Sequence, residues 1–184
     1  MSLNEMNVHL GDLELLPTGA HPELLAPQVA SALSALPDAE DAGVAPIDPN
    51  LSDTAAFCER YRIDATRAAN CVILEAKRGD RSWFAACVVL GSTRADINGL
   101  ARRTLDARKV SFAPMEEAVA RTGMEYGAIT PIGLPAGWPI LVDAKAASED
   151  LLVVGSGVRR SKLVIPGVLL AKLPNASVLE GLGR

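Results

Sequence analysis

Two apolar runs, Cys71 to Ala76 and Ser82 to Leu90, flank the charged segment Lys77-Arg78-Gly79-Asp80-Arg81. Charged residues around one glycine, between runs rich in Val, Ile and Phe, predict a β-hairpin, with Gly79 supplying the positive φ that the turn needs. Arms this long and this apolar must be buried, so the chain is committed to an antiparallel sheet at its centre. With the turn centred on Gly79, residues whose numbers sum to 158 face one another, which sets Cys71 opposite Cys87 and Asn70 opposite Val88. In that register Asn70 shares a face with Val72, Leu74, Phe84, Ala86 and Val88. An amide at the edge of an apolar face needs hydrogen-bond partners. The cysteine pair reads as two small buried side chains rather than a redox switch.

Helices and shorter strands surround this hairpin. Leu24, Leu25, Val29 and Leu33 recur at helical spacing within Pro22 to Leu36, and Pro37 stops them. Val44 to Ile47 predicts a short strand. Ser52 or Asp53 can cap a helix over Thr54 to Arg62. Asp96 to Thr104 predicts a helix with a basic side, Lys109 to Phe112 a strand, and Pro114 to Arg121 a helix closed by Gly123. Strands are expected over Ala128 to Pro131, Pro139 to Val142, Leu151 to Gly155 and Lys162 to Ile165, with a closing helix over Pro166 to Leu173. Strands in unequal groups with scattered helices argue against regular βαβ winding. The expected fold class is α+β, a curved, mixed, partly barrel-like sheet with flanking helices.

At 184 residues, 49% of them hydrophobic, the chain suits one domain with a substantial core. Its mean hydropathy of +0.20 raises the question of a membrane span. A span needs about 20 consecutive apolar residues, and the strongest run, Phe84 to Leu90, is far shorter. Met1 to Leu10 contains Glu5 and lacks a basic region followed by an apolar one, so no signal peptide is expected. Three cysteines, Cys58, Cys71 and Cys87, form no C-x-x-C pair, which fits a reducing compartment, and the cytoplasm is the expected location. The two histidines, His9 and His21, fall in an N-terminal extension. Neither a Cys/His metal site nor a histidine-dependent nucleophilic triad is expected, and no cofactor is called for.

Net charge is −4, unevenly spread. Arg102, Arg103, Arg108 and Lys109 cluster mid-chain, and Arg159, Arg160 and Lys162 form a later group. Such clusters are most often solvated surface; the functional alternative is a phosphate-contacting stripe on an acidic molecule. Gly155-Ser156-Gly157-Val158-Arg159-Arg160 is no dinucleotide fingerprint, because the third glycine is missing and a strand follows where a helix is required. It is either a tight turn or a loop whose backbone approaches a ligand.

The ordered landmarks carry a resemblance. They are the helix at Ser52 to Arg62, the strand Asn70-Cys71-Val72-Ile73-Leu74, Asp96-Ile97, Lys109-Val110-Ser111-Phe112-Ala113, Thr122-Gly123, Gly127-Ala128-Ile129-Thr130-Pro131-Ile132-Gly133, Val142-Asp143 and Val154-Gly155-Ser156-Gly157. From about Leu51 onward the chain resembles the YbaK/ProX family, aminoacyl-tRNA editing domains related to the insertion domain of bacterial prolyl-tRNA synthetase. The residues before about Val44 match it poorly. The implied organisation is an N-terminal extension over 1–43, with a helix packed on the domain, and an editing domain over 44–184.

The resemblance implies hydrolysis of the ester between a wrong amino acid and its tRNA. A ribose hydroxyl of the substrate assists the attacking water, while the protein supplies a fitted pocket and donors for the oxyanion. It implies backbone donors at Gly127 and Ala128 and a catalytic position at Asn70. Substrate contacts are implied at Thr130, Pro131, Asp143, Gly155, Ser156, Gly157 and Arg159. The implied partners are the aminoacyl-tRNA acceptor end and an aminoacyl-tRNA synthetase, and the charge cluster makes Arg102, Arg103, Arg108 and Lys109 the candidates for tRNA phosphates. The chain departs from the family at Asn70, where the family usually has a lysine that contacts substrate. Either Asn70 serves a different substrate, or this member is slow or binds without cleaving; Arg67 and Arg159 are candidate substitutes for the missing cation. A deacylase and a non-catalytic module that binds an aminoacyl or tRNA end are the two readings this leaves.

Overall fold

A computed structural model describes residues 10–184. His9, and all but the last residue of the stretch read against a signal peptide, lie outside the described residues. In chain order the strands are β1 (Leu16–Pro17), β2 (Gly43–Pro46), β3 (Ala69–Arg78), β4 (Arg81–Leu90), β5 (Lys109–Phe112), β6 (Ile140–Asp143), β7 (Leu152–Gly155), β8 (Ser161–Ile165) and β9 (Ala176–Leu179). The α-helices are α1 (Pro27–Ser34), α2 (Thr54–Tyr61), α3 (Arg102–Thr104), α4 (Met115–Thr122), α5 (Ala144–Ala147) and α6 (Val168–Ala171).

The expected hairpin is β3–β4, but its register is displaced by one residue. Arg78 pairs with Arg81, so the loop is the two residues Gly79-Asp80, with φ +60° at Gly79. Positive φ at the first loop position alone is the pattern of a type II′ turn, which fits the twist of the flanking strands. Asn70 therefore faces Val89, and Cys71 faces Val88. A one-residue slip changes which residues of the two strands share a face. Asn70, Val72 and Leu74 lie with Cys87 and Val89, while Ile73 lies with Ala86 and Val88 on the other face. The two cysteines sit on opposite faces. Burial raises both thiols, Cys87 to about 12, so neither is a ready thiolate.

The α+β class holds, and the strands divide into two sheets. One runs β5-β3-β4-β6-β9, mixed, because β4–β6 and β6–β9 are parallel; the other runs β1-β2-β8-β7 and is antiparallel. The principal core takes Ile73, Ala86, Val88 and Val142 from the first sheet and Val44, Val154, Leu163 and Ile165 from the second. Leu25, Val29 and Leu33, in and just before α1, join this core, so the segment before β2 shares it. The far face of the first sheet buries Leu74, Ala85, Cys87 and Leu182, and that of the second buries Ala45, Val153 and Val164 under Phe57 of α2. Burying a side chain the size of Phe57 contributes about 1.5–3 kcal/mol, which pins α2 to its sheet.

Caps explain several boundaries. Asp53 caps α2, accepting from Ala55 N at 3.1 Å, and Arg62 in the left-handed region ends it. Asp96 accepts from Gly99 N and Leu100 N and opens a π-helical turn over Ile97–Ala101, leaving only α3 of the longer helix expected there. α4 ends at Gly123, φ +66°. Ala128 to Pro131 is not a strand. The backbone there leaves extended ladders and crosses to the β7–β8 turn, where Ala128 O accepts from Gly157 N at 2.8 Å and Glu125 N donates to Gly157 O at 2.9 Å. The helix expected after Pro22 starts as a separate short turn over Pro22–Leu24, and the closing helix shrinks to α6.

Candidate active site

β5 pairs with β3 over Leu74 to Lys77, and Ala113 N adds a bond to Ile73 O at 2.8 Å, so the edge of β3 from Ala69 to Val72 is left open. The two sheets meet beside that edge through a bridge between Ala68 and Val153. A cavity of about 570 Å³ occupies the gap. Its wall includes Asn70, Gly127, Gly155 and Arg159, four of the residues expected at a catalytic or substrate site, together with Ser52, Thr54, Tyr126 and Lys162, which were not expected there.

One end of the cavity is apolar, lined by Ile73, Ala113, Ala118 and Ile129. Its rim carries Phe112, Met115 and Tyr126, exposed by 59%, 52% and 59%. Large apolar side chains so exposed, bordering one cavity, mark a binding surface. The polar end centres on Gly127. Its φ of +80° is a left-handed conformation that side chains disfavour, and a Cβ there would lie 3.0 Å from both Arg159 Nη1 and Ser52 Oγ. Glycine is therefore required twice, by the backbone and by the space beside it.

Of the two backbone donors expected here, the Ala128 N–H is engaged by the Glu125 carbonyl at 3.0 Å. The Gly127 N–H has no hydrogen-bond acceptor among the described residues. Arg159 donates from Nη1 to Tyr126 O and from Nη2 to Pro49 O, each at 2.9 Å, so its guanidinium is fixed by carbonyls and forms no ion pair among the described residues. Asn70 accepts at Oδ1 from Thr54 Oγ1, which orients the amide. Ser52 is buried, and its Oγ has no partner among the described residues.

Lys162 was read in the sequence only as part of a charge group. On β8 it sits between Ala45 of β2 and Gly155 of β7, two residues too small to block its side chain. It is 7% exposed. Its Nζ donates to Ser52 O at 2.9 Å and lies 5.3 Å from the centre of the Phe57 ring. Burial pushes this amine down to about 8; Cys58 and Asp53 oppose the shift, and Arg159 adds to it. A usable signal was a lysine inside the otherwise apolar strand Lys162 to Ile165, opposite a glycine-rich turn.

The remaining expected contacts lie elsewhere. Thr130 is fully buried with an unpartnered hydroxyl, and Pro131 is buried beside it; neither lines the cavity. Asp143 is buried and accepts from Gly183 N at 3.1 Å, holding the C-terminal segment. Ser156 bonds Val158 O and Ser161 O within its own turn. Gly157 packs against α1, where a Cβ would come within 2.5 Å of Ala26 Cβ. Gly155 lines the cavity, yet its glycine is required by the loop crossing it, since a Cβ would meet Ala128 O at 2.4 Å.

Arg102, Arg103 and Arg108 border a shallow surface with Arg78, and Lys109 faces Lys77 across β5–β3. Arg78 is paired with Asp106. This basic group sits at the hairpin-tip end of β3, roughly 20 Å along the strand from Cys71 at about 3.3 Å per residue. Among the described residues no three His, Cys, Asp or Glu side chains gather as a metal site, and no helix is long and apolar enough to cross a membrane.

No curated protein matches the chain. Solved structures do. A protein proposed to be a trans-editing enzyme for prolyl tRNA synthetase is 20% identical, with a TM-score of 0.70 over 87% of this chain and 99% of its own. A scaffold used for grafting linear epitopes by computational design is 19% identical, with a TM-score of 0.71 over 86% and 97% of the two chains. A hypothetical protein is 21% identical, with a TM-score of 0.64 over 76% and 86%. At these identities the likeness is one of fold. The sequence itself matches a family model over residues 48–173, more than half of the chain, and the chain belongs to the aminoacyl-tRNA editing domain family.

Proposed function

We propose that this protein is an aminoacyl-tRNA deacylase acting in trans on mischarged tRNA. The observation that carries this reading is the polar end of the cavity. The free Gly127 N–H, the unpartnered Ser52 hydroxyl and the carbonyl-fixed Arg159 converge on a glycine whose missing side chain leaves room for an ester. Among the described residues the cavity wall carries no histidine and one carboxylate, Asp53, which is engaged in capping α2. Chemistry without a general base from the protein suits an ester that carries its own neighbouring hydroxyl. Water attacks the carbonyl carbon and the carbonyl electron pair moves onto oxygen. That pair returns as the bond to the ribose oxygen breaks. The water proton passes through the adjacent ribose hydroxyl to the leaving oxygen, releasing free amino acid and tRNA.

The apolar end of the cavity suits an uncharged amino-acid side chain, and exposed Phe112 and Tyr126 suit stacking of an unpaired terminal base. Asn70, oriented by Thr54, presents its amide group toward the ligand. Arg102, Arg103, Arg108 and Lys109 would meet phosphates further along the acceptor stem. In this reading residues 44–184 form the editing domain, residues before them an extension sharing its core, and the protein works in the cytoplasm beside a synthetase. The neutral Asn70 favours a second reading, an aminoacyl-end binder that does not cleave. Incubation with a panel of labelled aminoacyl-tRNAs tests the choice: shortened ester lifetime for at least one amino acid supports the deacylase, and none for any leaves the binder.

A further inference from the structure

Lysine is almost never fully buried unless paired, because removing an ammonium from water costs several kcal/mol. Lys162 breaks that rule. It is 7% exposed, forms no ion pair among the described residues, and spends one donor on the Ser52 carbonyl. It does not reach out to solvent as long cations ordinarily do; it ends in the wall of the cavity. The residue whose carbonyl it holds, Ser52, carries the unpartnered buried hydroxyl that lies 3.0 Å from where a Gly127 Cβ would be. An unneutralised cation and an unused donor, both buried and both beside one cavity, describe a site whose anion comes from the ligand.

We propose that Lys162 and the Ser52 hydroxyl, with the Gly127 N–H, form a seat for an oxygen that bears negative charge. On the deacylase reading above, that oxygen is the ester carbonyl oxygen as water adds to it. Lys162 acts in two ways: its ammonium supplies positive potential at low dielectric, and its bond to Ser52 O fixes the backbone from which the hydroxyl projects. Arg159 supplies a second cation on the same side. The groups facing Lys162 are Asp53 and Cys58 from the α2 segment and Arg159 from the β7–β8 turn. With the amine pushed down to about 8, the seat is charged at pH 7 and loses its charge in mildly alkaline solution.

Binding tests the seat without turnover. Two non-hydrolysable ligands share an adenosine frame and a small apolar acyl group without an α-amine. One has a neutral amide in place of the ester, the other a tetrahedral phosphonate monoester carrying one negative charge. Calorimetry from pH 6.5 to 9.5 should show wild-type protein preferring the phosphonate by at least about tenfold at pH 7. The preference should fall as pH rises through about 8. Lys162→Gln removes the charge and keeps a polar amide; it should lose most of the preference, read as the ratio of its own two affinities. Ser52→Ala should lose part of it. A preference that is intact in Lys162→Gln overturns the proposal. So does a wild-type preference that stays flat across the pH range, a result readable even if the variant does not fold. Failure of the wild type to cleave any aminoacyl-tRNA, with the phosphonate preference present, would count against the deacylase and not against the seat.

Discussion

Replacing Lys162 with methionine should make the free protein more stable. The amine falls from 10.5 to about 8 on folding, chiefly through burial. At about 1.4 kcal/mol per unit, holding it charged in the folded state costs about 3 kcal/mol. Methionine has a similar length and no charge to desolvate. Its introduction forfeits the hydrogen bond to Ser52 O, worth about 1 kcal/mol, and the weak attraction to the Phe57 ring. The balance is a gain of about 1–2 kcal/mol at pH 7, or roughly 3–6 °C in Tm for a chain of this size. The sign of the pH dependence is distinctive. Because the folded-state value is depressed, the unfolded chain binds more protons between about pH 8 and 10.5. Wild-type stability therefore gains across that window by up to about 3 kcal/mol relative to the variant, and the advantage of Lys162→Met disappears. Urea unfolding of both proteins at pH 7, 9 and 10.5 reads the difference. A Lys162→Met protein less stable by 2 kcal/mol or more at pH 7, or a difference that does not change with pH, would refute this and make Lys162 a structural lysine.

Other substitutions probe the rest of the cavity. Asn70→Ala removes the acceptor for Thr54 Oγ1 and should cost about 1 kcal/mol in chemical denaturation while lowering single-turnover deacylation more than tenfold. Asn70→Lys should lower activity too, since a further cation would join Lys162 and Arg159 in one cavity. Gly127→Ala should lose about 1–2 kcal/mol from its φ of +80°, and its deacylation should fall by more than that instability explains, because the new Cβ meets Ser52 Oγ and Arg159 Nη1. If the basic surface meets tRNA phosphates, neutralising Arg103, Arg108 or Lys109 singly should reduce the salt dependence of tRNA affinity by about 0.7–0.9 in log–log slope; an unchanged slope would leave them as solvated charge.

The hairpin was legible because its turn residues and its apolar arms agree with each other. Its register was not, since a five-residue charged segment does not reveal that the loop itself is only Gly79-Asp80, and a slip of one residue reassigned the partners of Asn70. Ala128 to Pro131 imitates a strand because it is apolar and bounded by glycines, yet its burial comes from packing as a loop against the β7–β8 turn. β9 was missed because Ala176 to Leu179 is short and half-exposed, held as an edge by parallel pairing with β6. Gly127, Asn70 and Arg159, which line the cavity, were named through motif resemblance, which also named Asp143 and Ser156, whose hydrogen bonds are local and structural. Lys162 and Ser52 escaped notice for a physical reason. A lysine near two arginines looks like solvated charge, and a serine before a helix looks like a cap; only the β2–β8–β7 register carries Lys162 inward to the Ser52 carbonyl.

The central claim is hydrolysis of an aminoacyl ester in this cavity. The direct measurement is the lifetime of labelled aminoacyl-tRNAs, across many amino acids, with wild-type protein, with Gly127→Ala, and without protein. The account predicts faster ester loss for at least one small uncharged amino acid with wild type, largely abolished in Gly127→Ala. Ester lifetimes that wild-type protein leaves unchanged for every amino acid, or acceleration that survives Gly127→Ala in full, would contradict it.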